Sequence, residues 1–193
     1  MDAARRIVAN NRSLAFFLLK MAAAYAVWFV VYDLFLLPDG RLDGWLSHSV
    51  ASATASVLQP FYDTAFADGR TVWIQEGTGV LIEDGCNGLS AFSLFVGFVI
   101  AYPGSWARRA WFIPLGLVAL VVTNILRCAI LLMTALHIPE AFDSVHGFHA
   151  LFVFYVVIFL MWMAWAHWGG SESGSSRPSG PSGGAAEPAL ATA

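Results

Sequence analysis

The chain has 193 residues, of which 58% are hydrophobic, 15% aromatic and only 12% charged, with a mean hydropathy of +0.66. A soluble domain carries roughly 25% charged residues, so the composition excludes an ordinary water-soluble fold and favours the bilayer. A formal net charge of −3 excludes a basic nucleic-acid binder, and the two cysteines, Cys86 and Cys128, form no zinc pattern and no expected disulfide.

Arg5, Arg6 and Arg12 precede an apolar stretch too long for a signal-peptide core and without a small-residue cleavage site, so a retained anchor is expected. A helix needs about 20 apolar residues to cross a hydrocarbon core. Residues 13–37 supply the first such span and are closed by Pro38, Asp39 and Gly40. The segment 38–86 follows. In it "WLSHSVASATASVLQPFYDTAF" places Trp45, Val50, Val57 and Phe61 at helical spacing, which predicts an amphipathic helix on the membrane surface. Next, "RTVWIQEGTGVLIEDG" alternates and turns at Gly77 and Gly79, a β-hairpin that delivers the chain to Cys86. The second span, 88–103, is short. The third, 111–137, is interrupted by Asn124 and Arg127, and the fourth, 148–168, ends in the tryptophans that favour an interface. Residues 171–193 are rich in Gly, Ser and Pro and read as a disordered tail.

Basic residues orient this bundle. Arg108 and Arg109 fall in the link between the second and third spans, whereas the segment 38–86 carries Asp39, Asp43, Asp63, Asp68, Glu76, Glu83 and Asp84 against Arg41 and Arg70. Lys and Arg in short loops stay inside, so both termini and the Arg108 link are expected to be cytoplasmic, with 38–86 and the turn at 139–145 outside. The expected fold is an all-α polytopic membrane protein: about four transmembrane helices, or five, with the amphipathic helix and the short hairpin ahead of Cys86.

Arg127 is the costliest residue, at about 3 kcal/mol for an arginine near the centre of a span. It either faces the bundle interior, pairs with Asp33, or snorkels to the headgroups; Asn124, three residues earlier on the same face, favours a polar inward stripe. Lys20 and Asp33 lie near span ends, where snorkelling is cheap. Cys86, in "GCNG", is either an inert small hydrophobe or a nucleophile at a helix N-terminus, where the dipole favours a thiolate. Cys128 reads as inert. A cysteine nucleophile needs a proton acceptor, and His146 lies at the depth of Cys86, with His149 on the same helix face as the alternative. His48 and His137 read as interface residues and His167 as part of the cytoplasmic belt. An arginine beside a cysteine–histidine pair can hold a thiolate or an oxyanion, with Asn124 and Asn87 as supports for Arg127.

The blocks "GCNGLSAF", "NILRCAIL" and "PEAFDSVHGFHALF", in this order between Val72 and Trp165, resemble the compact branch of the exosortase/archaeosortase family of membrane-embedded cysteine transpeptidases. The resemblance implies a catalytic triad of Cys86, Arg127 and His146, no cofactor and no metal, in a membrane-embedded domain over residues 1–170. It also implies a bacterial inner membrane location with the site on the outer face. Substrates would be exported proteins whose C-terminal sorting signal combines a short motif, a transmembrane helix and a basic cluster. An acceptor, glycan or lipid, would take the cleaved protein. Two rivals stay open: the same chemistry ending in hydrolysis, and a non-catalytic scaffold in which Arg127 and Asn124 grip a partner helix.

Overall fold

The computed structural model describes residues 2–75 and 77–169, with 2–10, 75 and 148–151 described as backbone only. The tail read from 171–193 lies outside the described residues. Helix α1 (Asp2–Val31) continues through a π-helical turn, Tyr32–Leu36, into the short α2 (Leu37–Asp39), and α3 (Arg41–Leu58) follows. Strands β1 (Phe66–Asp68), β2 (Thr71–Gln75) and β3 (Thr78–Leu81) form an antiparallel meander. A 3-10 turn, Asp84–Cys86, then leads into α4 (Leu89–Ala101) and α5 (Trp106–His137). The chain closes with α6 (Phe142–Ser144), a π-helical turn at Val145–His149, and α7 (Ala150–Trp168).

Among the described residues three continuous helical stretches are long and apolar enough to cross a membrane: Asn11–Asp39, Trp106–His137 and Pro139–Trp168. On α1 the side chains of Leu14, Phe16, Leu18, Leu19, Val27 and Phe29 are exposed, a surface that lipid solvates and water does not. Helix α4 has 13 residues, about 20 Å of helix against a hydrocarbon core of about 30 Å. It is short because Pro103 follows closely and because Arg109 takes its last carbonyls, donating to Val99 O at 3.1 Å, Ile100 O at 3.4 Å and Tyr102 O at 3.0 Å. Arg108 and Arg109 both lie in the first turn of α5, not in a link. That helix starts at Trp106 because the Ser105 hydroxyl accepts from Arg108 N–H at 3.4 Å.

The segment before Cys86 forms the expected helix and hairpin and differs in where they end and turn. The buried face of α3 is Asp43, Leu46, Ser47, Val50, Ala51, Thr54, Ala55 and Leu58, while Trp45, Val57 and Phe61 point outward. The face that packs on α5 and the sheet mixes Leu46, Val50 and Leu58 with small and polar side chains that let backbones approach. The helix also stops at Leu58, ahead of Pro60, so that Phe66 begins a third strand. Within the hairpin, Gly77 makes the turn with φ +92, but Gly79 lies in β3 opposite Trp73, where a Cβ would come within 2.4 Å of the indole ring.

Helix α5 organises the interior. Gly116, Leu120, Asn124 and Cys128 repeat every fourth residue along one buried face. Toward its Arg109 end, Leu120 joins Phe95, Val99, Phe154, Ile158 and Trp165 in a core shared by α4, α5 and α7. Toward its His137 end, Cys128, Ala129 and Leu132 join Val50, Ala51, Val72, Ile74 and Ile82 in a second core under α3 and the sheet. Asn124 and Arg127 lie between the two. Polar groups there lie at the seam of the two cores, and they find hydrogen-bond partners in the chain that passes between them.

Candidate active site

That passing chain is the segment from Asp84 to Gly88. The 3-10 turn closes with Cys86 N–H donating to Glu83 O at 2.8 Å, and Gly88 adopts φ +93 before α4 begins. Gly88 also passes close to α5: a Cβ there would lie 3.3 Å from Asn124 Nδ2. Cys86 consequently sits upstream of α4 rather than in its first turn, and the Leu89 N–H is already taken by Asn87 Oδ1 at 2.9 Å. The left-handed Gly88 separates the cysteine from the helix that the sequence placed it on, so neighbouring side chains, not the start of α4, set the surroundings of its sulfur.

Those neighbours come from two further helical stretches. The Cys86 sulfur lies 3.8 Å from His146 Nε2, at the long end for a thiol–imidazole contact. His146 belongs to the π-helical turn Val145–His149, a local widening that often marks functional positions, and its ring stacks on Phe142 at 5.7 Å and 3°. It is exposed, while Cys86 is half-buried. His149 lies in the same turn, and its side chain is outside the described residues.

Arg127 turns to the bundle interior and not to Asp33. It donates from Nη2 to Cys86 O at 2.6 Å and from Nε to Asn124 Oδ1 at 3.1 Å, and Asn124 Nδ2 donates to the same Cys86 carbonyl at 3.2 Å. The guanidinium and the amide thus hold the cysteine backbone from the α5 side. Phe154 of α7 lies under the guanidinium, 6.0 Å from ring centroid to Cζ. A cavity of about 90 Å³ opens beside Cys86, walled by Ser90, Asn124, Arg127, Phe154 and Tyr155. A larger cleft of about 420 Å³ runs between α1, α4 and α7, and the two share Ser90, Leu94 and Tyr155.

Asn87 does not reach Arg127, contrary to the role read for it. Its Nδ2 donates to Asp43 Oδ1 at 2.6 Å, on the opposite side of the loop. Sequence reasoning missed this second set of anchors. Tyr32 donates its hydroxyl to Asp43 Oδ1 at 3.2 Å. Arg70 bridges the sheet to the loop by binding Asp84, Ile82 O at 3.2 Å and Ser47 Oγ at 3.0 Å. One available signal was the polar register of α3, where Asp43, Ser47 and Thr54 share a face.

Cys128 is buried in the core under α3 and the sheet and forms no disulfide, and His137 receives a contact from Tyr62 OH at 2.9 Å. His48 Nδ1 meets Gly69 O at 2.8 Å. Among the described residues no group of three or more His, Cys, Asp or Glu side chains is placed to hold a metal ion. A family model described as transmembrane exosortase matches residues 7–163, which include every side chain of the site. No curated protein and no solved structure matches the chain.

Proposed function

Since the chain belongs to the transmembrane exosortase family and is an integral membrane protein, we propose that it is a cysteine transpeptidase acting on the C-terminal sorting signals of exported proteins. The observation that carries this reading is the meeting of Cys86 and His146 at 3.8 Å, beside a guanidinium that α5 holds between two apolar cores. An arginine within a membrane helix is expensive, and the half-buried Arg127 stands beside the cysteine, where it can serve a developing oxyanion.

In the proposed reaction Cys86 gives its proton to His146 Nε2 and attacks the scissile carbonyl. The carbonyl electron pair moves onto oxygen, where N–H groups of Arg127 not engaged by Cys86 and Asn124 stabilise it. Collapse restores the carbonyl and breaks the C–N bond, and His146 returns its proton to the leaving amine. A thioester remains on Cys86. The amine or hydroxyl of a glycan or lipid acceptor attacks it, loses a proton to His146 and regenerates the thiol. The cleft between α1, α4 and α7 supports a lipid-side approach, which a substrate carrying its own transmembrane helix needs.

Hydroxylamine tests the covalent step. Added during turnover, it is expected to divert the product to a hydroxamate, and rapid quenching should show a substrate adduct on Cys86 by mass spectrometry. An unchanged product and an unmodified Cys86 would count against the thioester. A product ending in a free carboxylate labelled from heavy-oxygen water, with no joined acceptor, would reassign the enzyme as a protease.

The site belongs on the outer face in this reading, with both termini cytoplasmic. Reporter fusions at Gly69 and Ser105 should then report opposite sides, outer and cytoplasmic respectively. Matching signals would overturn the orientation.

A further inference from the structure

The proposed chemistry leaves one costly group unused. Asp43, in the first turn of α3, has no exposed surface, and its Oδ2 has no hydrogen-bond partner. A carboxyl group buried with one oxygen unsatisfied opposes folding, so its presence calls for a compensating role. Its other oxygen identifies that role: Oδ1 accepts from Asn87 Nδ2 at 2.6 Å and from Tyr32 OH at 3.2 Å.

Asn87 follows Cys86 directly. Its amide is fixed at both ends, donating to Asp43 and accepting from Leu89 N–H at 2.9 Å. One turn along α3, Ser47 holds Arg70, which in turn binds Asp84 on the other side of the cysteine. The polar face of α3 therefore brackets Cys86, while Arg127 and Asn124 hold its carbonyl from α5. The carbonyl bonds hold the cysteine peptide from one side, and Asp43, through Asn87, holds the following residue from the other.

We propose that Asp43 is a positioning residue: through Asn87 it sets the direction in which Cys86 presents its sulfur to His146. Tyr32, stacked on Trp28 at 5.3 Å and lining the cleft between α1, α4 and α7, ties the same carboxyl group to α1. The loop that carries the cysteine is thereby referenced to three helices, α1, α3 and α5. The activity consequence rests on the cysteine chemistry proposed above; the geometric consequence does not.

The test uses the full chain in proteoliposomes, with Cys128→Ser so that Cys86 is the one thiol read. Two quantities are measured: the rate of Cys86 alkylation by a water-soluble maleimide, and kcat and KM for a sorting-signal substrate. Asp43→Ala and Asn87→Ala should each change the alkylation rate at least threefold and lower kcat tenfold or more, with KM within about twofold. Combining them should cost no more than the worse single change, since the two act through one bond. Asp43→Asn keeps an acceptor oxygen and should recover kcat to within about threefold of the parent.

Unchanged alkylation in Asn87→Ala, or single effects that multiply in the double variant, would overturn the assignment. If Asp43→Ala does not accumulate in the membrane, Asp43→Asn and Asn87→Ala decide it by the same thresholds. A chain that processes no substrate, or whose Cys86→Ala form processes normally, sinks the enzyme reading alone. The alkylation rates then still decide whether Asp43 aims the thiol.

Discussion

Cys86→Ala is expected to reduce processing of a sorting-signal substrate to the uncatalysed background, because it removes the sulfur that faces His146 and leaves Cys128 buried in the core. Cys86→Ser should fare little better. A serine hydroxyl is far less acidic than a thiol, and an exposed imidazole at 3.8 Å is a weak base for it. His146→Ala removes proton transfer but leaves the nucleophile, so its rate should fall by about 10²–10⁴-fold. In the Cys86→Ala background, losing His146 as well should add nothing, because the pair acts as a unit. Time courses in proteoliposomes, with thermal melts to confirm folding, check all four. Normal processing by Cys86→Ala would leave only the scaffold reading. A normal rate in His146→Ala with a collapsed rate in His149→Ala would move the base three residues along the same turn.

The parts of this site that a sequence discloses are those whose cost shows without partners. An arginine ten residues from the end of an apolar span is conspicuous because a membrane helix gives it no solvent. Asn124 was visible from Arg127 because helical spacing puts them on one face. The anchors on the other side of the loop were hidden for the opposite reason. Asp43 and Arg70 fall in a segment already rich in carboxylates, where a charge looks solvated, and their partners are remote in sequence: Asn87 lies 44 positions from Asp43. Burial of Asp43 is decided by how α3 packs, and apolar periodicity marked the outer face, where Trp45, Val57 and Phe61 are exposed, not the polar face that packs on the rest of the chain. The late start of α4, after Cys86, had a similar cause. "GCNG" reads as a helix start, and only the left-handed Gly88 shows that the helix begins after it.

Arg127→Ala is expected to lower turnover by about 10²–10³-fold, the range for loss of one oxyanion donor, while the protein still inserts and folds. The fold can tolerate the change because Cys86 O keeps its bond from Asn124 Nδ2 at 3.2 Å. Insertion itself should become easier, since a charge costing about 3 kcal/mol is removed from the span. A residue that hinders membrane entry and is dispensable for the backbone it touches has its justification in chemistry. Arg127→Lys separates charge from geometry. A lysine restores the positive charge but lacks the planar fork that meets Asn124 Oδ1 and Cys86 O together, so it should recover less than a tenth of the lost rate. If lysine instead restores full turnover, the guanidinium supplies only a field, and the oxyanion must be held by other donors such as the amide of Asn124. If alanine costs nothing in turnover but lowers the melting temperature, Arg127 is a structural clamp on the cysteine loop, and the three-residue catalytic assignment reduces to Cys86 and His146.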